Sequence, residues 1–316
     1  MNFLSKAAAR SFVLSVLFSA VVSSPIFASP VKEAVVPLRV GIMPDADSIP
    51  FMLARDEGLF EREGVSVELM VFANPQERDA ALQAGKIDGA ISDLLAAAFF
   101  AAGGFDTKIT SLTDGRYGIA ASSSSGIADI AGLEGKKIGL STNTIIQYTV
   151  DAQLEKAGVP SNSYEPVSIP RMPVRMEMLL SGQIDAASLP EPLLTAAVAQ
   201  GATLLSTTDA IGVDAGIMLF SKKALDARLV DIQKFYRAYT AAAEKINADP
   251  DAYRDYLVEK AAFPASVKDA YRFVRYRSPT LPDVAQIEQA FAWLKERNLL
   301  SADLNASGLI DGRGIN

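Results

Sequence analysis

Apolar positions along this chain fall into short blocks that switch between a two-residue and a helical period. Pro37 to Met43 reads as a strand, and the loop 44–50 after it carries Asp45, Asp47 and Ser48. Phe51 to Glu63 places apolar residues at helical spacing and stops at Gly64. Val65 to Phe72 alternates Val65, Val67 and Leu69, which predicts a second strand. Strand, helix, strand predicts a parallel pair with a right-handed crossover. Asn74-Pro75 opens the next helix, with proline in its first turn, and Gly85 ends it before a third strand, Ile87 to Ser92.

The same order returns further along. Leu82 to Ala90 and Leu179 to Ala187 share the pattern L-x-x-G-x-I-D-x-A, displaced by 97 residues from Gly85 to Gly182. Lys136 to Leu140 predicts the first strand of this second unit, followed by the polar loop Ser141, Thr142, Asn143 and Thr144. A helix over 146–156, a strand over 164–169, a helix over 173–181 and a strand over 184–189 complete it. Gly118 to Ser125 is small and serine-rich and reads as a linker; Gly126 to Gly135 leads into the second unit. Gly212 to Gly216 leads out, Ile217 to Ser221 returns as a strand to the first, and helical stretches follow. The expectation is an α/β chain of two lobes. Lobe one comprises residues 29–125 and 217–316, lobe two residues 126–216. Two crossings join them as hinges, with a cleft between suited to a small molecule.

The first residues read differently. Lys6 and Arg10 precede an apolar stretch of 11 residues, Phe12 to Val22, and Pro25-Ile26-Phe27-Ala28 resembles a cleavage region. That stretch is roughly 16 Å long as a helix, against about 30 Å of hydrocarbon, so residues 1–28 are expected to be a signal peptide cleaved after Ala28. Without Lys6 and Arg10 the formal net charge moves from −7 to −9, which argues against nucleic acid as a partner. Cysteine and histidine are both absent. That removes disulfides, thiol chemistry, imidazole general bases, Ser-His-Asp arrangements and histidine-ligated metal sites.

Four segments together carry a resemblance: Leu38-Arg39-Val40-Gly41-Ile42, Glu57-Gly58-Leu59-Phe60, Gly85-Lys86-Ile87-Asp88, and Leu133-Glu134-Gly135-Lys136-Lys137-Ile138-Gly139. They resemble substrate-binding proteins of ABC importers, in the group for sulfonates, nitrate, taurine and thiamine-pyrimidine precursors. The likeness runs from Pro37 to Asn298. It implies the two-lobed periplasmic-binding-protein fold, a periplasmic location, and delivery of a small ligand to an ABC permease by a monomer that closes on it. Related synthases of the thiamine pyrimidine share the fold but depend on histidine and a cysteine-rich iron motif, so their activity does not carry over to this chain. No cofactor and no metal are expected.

Ligands of open α/β lobes sit beyond the carboxyl ends of the strands. That rule selects Asp45, Asp47 and Ser48, Ser92 and Asp93, the run Ser141, Thr142, Asn143 and Thr144, and Glu191 in Pro190-Glu191-Pro192. Serine, threonine and asparagine there also serve as helix caps. The four carboxylates favour a cationic amine or an amino-bearing, aminopyrimidine-like heterocycle. Arg171, just after a lobe-two strand, is the candidate for a sulfonate-like anion. Arg116, Tyr117 and Asp214 lie near the crossings, and Tyr271 to Arg277 alternates aromatic and basic residues like a half-buried strand. The reading is an exported solute-binding protein rather than an enzyme. A two-lobed enzyme of cofactor biosynthesis and a ligand-presenting sensor subunit are the alternatives.

Overall fold

The computed structural model describes residues 36–316; the signal-peptide reading of residues 1–28 lies outside them. In chain order the elements are β1 Leu38–Ile42, α1 Ile49–Asp56, α2 Leu59–Arg62, β2 Val67–Val71, α3 Pro75–Gln83, β3 Gly89–Asp93, α4 Leu94–Ala102 and β4 Thr107–Leu112. Then come β5 Tyr117–Ala121, β6 Lys137–Leu140, α5 Ile145–Lys156, β7 Glu165–Ser168, α6 Met172–Leu180, β8 Ala186–Pro190, α7 Leu193–Ala199 and β9 Thr203–Thr207. The chain closes with β10 Gly216–Ser221, α8 Lys222–Ala227, α9 Leu229–Ala248, α10 Arg254–Glu259 and α11 Val284–Glu296. Among the described residues no helix is long and apolar enough to cross a membrane.

Two five-stranded sheets result, with orders β2-β1-β3-β10-β4 and β7-β6-β8-β5-β9. Three parallel strands open each sheet, and one antiparallel strand is inserted beside the third. In each case the inserted strand is the one next to a crossing: β10 follows the last strand of the second sheet in the chain, and β5 is that sheet's first. The first half of the segment read as a linker, Gly118 to Ala121, is therefore strand. Its small residues serve a packing need, because a side chain on Gly118 would overlap Leu194 of α7.

The repeated sequence pattern has a structural cause. Gly85 and Gly182 end their helices with φ of 66° and 72°, a conformation that glycine adopts without steric cost. The isoleucine that follows packs onto the first strand: a β-carbon on Gly41 would stand 2.8 Å from Ile87, and one on Gly139 2.5 Å from Ile184. The aspartate then closes a reciprocal pair. Asp88 accepts from the Arg39 amide at 2.8 Å, and its own amide donates back to the Arg39 carbonyl at 2.8 Å. Asp185 and Lys137 do the same at 2.8 and 3.0 Å. These bonds fix the register of β1 with β3 and of β6 with β8, so the motif builds the two sheets.

The C-terminal third joins both sheets. Helix α9 buries Phe235, Tyr236 and Tyr239 against α1, with Phe51 stacked on Phe235 at 5.0 Å, so Phe51 is core. Helix α11 packs on α4 and reaches α5, where buried Asp151 accepts from Trp293 Nε1 at 2.7 Å, Tyr164 at 2.8 Å and Arg297 at 2.5 Å. Tyr148 meets the Trp293 ring edge-on and is likewise packing. The segment Tyr271 to Arg277 has no regular secondary structure and joins no sheet; Tyr271, Val274 and Tyr276 are buried and Arg272 and Arg275 exposed.

Candidate functional site

The strand ends of the first sheet gather carboxyls. After β1 the chain turns through a single 3₁₀ turn, Ala46–Ser48, which buries Asp47 and Ser48. Asp45 accepts from the Ser48 hydroxyl at 3.0 Å. Asp47 is only 5% exposed and lies against both crossings: a β-carbon on Gly115 would overlap its carboxyl, and one on Gly216 would stand 3.3 Å from its Oδ1. The Thr113 hydroxyl is 2.5 Å from that same point on Gly216. The Thr113 hydroxyl lies close enough to the Asp47 carboxyl to act on it as a weak donor, but neither Asp47 Oδ1 nor Thr113 Oγ1 makes a well-formed hydrogen bond among the described residues. An unpartnered buried polar atom costs about 1–3 kcal/mol, so such a pair calls for an explanation.

Burial pushes the Asp45 carboxyl up to about 6. Burial, reinforced by the neighbouring Asp45, holds Asp47 well above the ordinary carboxylate range. Asp93 begins α4 as its N-cap, accepting from the amides of Leu95 and Ala96 at 3.1 and 2.9 Å. Its other oxygen stands 3.9 Å from Arg78 Nη2. Ser92 is buried and its hydroxyl has no partner. Tyr117 belongs to the second sheet, yet burial and the carboxyls of Asp47, Asp45 and Asp93 raise its phenol well above its usual range. A residue of one lobe thus stands in the field of the other lobe's acids.

The second sheet's strand ends are built otherwise. Ser141 accepts from Arg175 at 2.6 Å, and its carbonyl accepts from Thr144. Thr142 bonds Ser168 at 3.0 Å, the Asn143 amide donates to Gln147 at 2.7 Å, and Thr144 caps α5 through the Ile146 amide. Glu191 is buried and accepts from the amide and hydroxyl of Thr195 at 3.1 and 3.0 Å. It lies 3.7 Å from Arg116, which also grips Asp209 and the Arg272 carbonyl. Asp45, Asp47, Ser48 and Asp93 therefore come together; Glu191 pairs with Arg116 and, with Asp47, acts on the Tyr271 phenol; Ser141, Thr142 and Thr144 are bonded within their own lobe, and Asn143 is bonded there only through its backbone amide.

Arg171 is exposed at the start of α6, and its side chain makes no hydrogen bond among the described residues. Asp214 is taken by Arg277 at 2.9 Å, and Arg277 also binds Asp114 at 2.6 Å, so this arginine ties the two crossings together. Sequence reasoning missed Thr113 and Arg78. Arg78 had a readable signal, because it lies on the same face of α3 as buried Ala81 and Leu82. Among the described residues no three acidic, cysteine or histidine side chains are grouped to hold a metal ion.

Residues 45–253 match the family described as NMT1/THI5 like. The chain belongs to that family. This NMT1/THI5-like chain is 24% identical over 232 residues to a protein of Brachyspira hyodysenteriae assigned by name to ABC transporter periplasmic binding proteins. That match covers 68% of this chain and 66% of the relative. A protein of Brucella abortus, named only as a binding protein, is 30% identical over 162 residues, covering 50% of this chain and 49% of the other. The chain thus spans just under two-thirds of the first relative and about half of the second. The crystal structure of the Escherichia coli periplasmic aliphatic sulphonate binding protein SsuA superposes with a TM-score of 0.76 at 19% identity, covering 87% of this chain and 92% of that one. At that identity the likeness establishes the fold, two lobes of the periplasmic-binding-protein type, and says nothing about the ligand.

Proposed function

We propose that this protein is an exported solute-binding protein that captures a small polar organic ligand between its lobes and hands it to an ABC permease as a monomer. We take lobe one as residues 36–113 and 216–316 and lobe two as residues 117–208, limits that follow sheet membership. The single observation that carries the reading is the set of buried polar atoms in lobe one that lack a well-formed hydrogen bond among the described residues: Asp47 Oδ1, Ser92 Oγ and Thr113 Oγ1 at or beside strand ends, and Arg78 Nη2 of α3. These sites are satisfied when a ligand enters, and the two crossings beside Asp47 let the lobes close over it. Three carboxyls in one lobe favour a ligand with N–H donors, an amine or an aminopyrimidine-like heterocycle, over a bare sulfonate. The names of the relatives support export and ABC transport. The absence of histidine and cysteine supports binding without chemistry.

The test is a thermal-shift screen of protein unfolded and refolded to strip carried-over ligand, against sulfonates, nitrate, aminopyrimidines, polyamines and aromatic acids. A ligand at one hundred times its dissociation constant adds about 2.7 kcal/mol, a shift of several degrees for a chain of this size. A hit within one N–H-bearing class is the expected result. A hit confined to nitrate or simple sulfonates overturns the amine reading. Turnover of a hit into product overturns the binding-protein reading.

A further inference from the structure

The two lobes carry an arginine at the same place in the repeat. Arg78 and Arg175 each lie seven residues before the motif glycine, Gly85 or Gly182. Both are almost wholly buried, at 4% and 0% exposure. Arg175 is saturated by its own lobe. It donates to the Ile169 carbonyl at 2.7 and 2.9 Å, to the Ser188 carbonyl at 2.7 Å and to the Ser141 hydroxyl at 2.6 Å.

Arg78 has none of these bonds. Ser141 is the first residue beyond β6, and the first residue beyond β1 is Met43, whose sulfur is a weak acceptor 3.8 Å from Nη1. Nε binds the adjacent Asp79 at 2.8 Å. Nη2 is buried without a hydrogen bond, and its nearest carboxylate, Asp93, is 3.9 Å away. The same guanidinium acts on Asp45 and on the Tyr117 phenol, which places it among the acids of the candidate cleft. Arg175, in the counterpart position, serves the fold; Arg78 is held in place by the same fold but left with a donor to give.

We propose that Arg78 selects the acceptor group of the bound solute, an oxyanion, and that lobe one therefore reads both a donor and an acceptor end of one molecule. This rests on the binding-protein reading and assigns to Arg78 the role that Arg171 held in the sequence expectation. A buried guanidinium with a free N–H gains a strong, directional bond from an oxyanion, and a ligand lacking that group leaves it unpaired. Lysine is no substitute, because a point charge does not reproduce the fork.

The experiment has two arms. Melting without ligand compares Arg78→Gln, Arg78→Lys and Arg175→Gln; Arg78→Lys keeps the positive charge beside Asp45 and Asp93. We expect Arg175→Gln to lose several degrees and both Arg78 variants to stay within about 2 °C of the parent. Calorimetry then compares 2-aminoethanesulfonate with 2-aminoethanol, which differ only in the oxyanion. The parent should prefer the sulfonate by at least about tenfold, and Arg78→Gln and Arg78→Lys should lose that preference. Melting of Arg78→Gln and Arg78→Lys as low as that of Arg175→Gln makes Arg78 a structural residue and overturns the proposal. So does a parent without preference between the two compounds, or a preference that survives in Arg78→Gln. The binding-protein reading stands or falls separately, on the wider ligand screen.

Discussion

Lobe one and lobe two share strand order, motif and a buried arginine, and differ at their strand ends. In lobe two, Arg175 bonds Ser141, Thr142 bonds Ser168 of β7, and the Asn143 amide and the Thr144 hydroxyl bond within the first turn of α5. In lobe one, Asp47, Thr113 and Arg78 keep buried polar atoms unpartnered. The third residue after β1 is Asp45, while after β6 it is Asn143; β3 ends at Asp93, while β8 ends at Pro190. The difference is one of degree: lobe two also leaves Ser188 Oγ and Gln153 Oε1 unpartnered among the described residues, but its buried arginine, Arg175, is fully bonded, whereas Arg78 of lobe one is not. We propose that lobe one selects the ligand and that lobe two closes on it, contributing Tyr117 from β5.

The comparison can be broken most forcefully at the arginines. Arg175→Gln strands two carbonyls and the Ser141 hydroxyl and should cost about 3 kcal/mol or more, read by denaturant unfolding. A cost below about 1 kcal/mol would mean that lobe two is not held together in this way. Next come the motif aspartates. Asp88→Ala and Asp185→Ala each orphan a strand amide and should destabilise by about 1–3 kcal/mol, Asp88→Ala more because it also loses the Arg39 ion pair. Folded protein of either variant should bind ligand as the parent does, measured by calorimetry.

A smaller effect concerns pH. The folded-state value of Asp45, about 6, lies above that of an unfolded aspartate, so between about pH 4 and 6 the folded chain holds more protons than the unfolded one. Stability from this group is greatest below that window and falls as pH rises through it; Asp47 acts in the same direction. Asp45→Asn should therefore gain on the parent in melting temperature across pH 4 to 6 and keep the gain above it. A difference that shrinks with rising pH contradicts the burial of this carboxyl. The smallest effect is Arg171→Ala, which should change both stability and affinity by less than about 0.5 kcal/mol because the Arg171 side chain is exposed and unbonded among the described residues.

Much of the fold is legible because its signals are local. Asn74 caps α3 through the Glu77 amide, Pro75 fills the first position, and the motif glycines end their helices where the pattern placed them. The linker reading of Gly118 to Ser125 failed over Gly118 to Ala121 because small residues that admit Leu194 look the same in sequence as a flexible segment. Tyr271 to Arg277 misled for another reason. Its partners, Asp114 and Asp214, are 163 and 63 residues from Arg277, and no periodicity reports such pairings. At the site, acids beyond strand ends could be listed from topology alone. Which of them remain unpartnered depends on packing: Asp93 spends one oxygen as a cap, Glu191 turns to Thr195, and Asp47 is pressed between two glycines of the crossings. Arg78 becomes legible only when the repeat is extended upstream of its motif and the two arginines are compared.

The central claim is that lobe one selects the ligand. The most direct measurement is the dissociation constant of the strongest ligand from the screen, by calorimetry, for Asp47→Ala in lobe one and Thr142→Ala in lobe two. The account predicts a loss of about tenfold or more for Asp47→Ala and less than about threefold for Thr142→Ala, with neither variant melting below the parent. Equal losses, or a larger loss in lobe two, would contradict it.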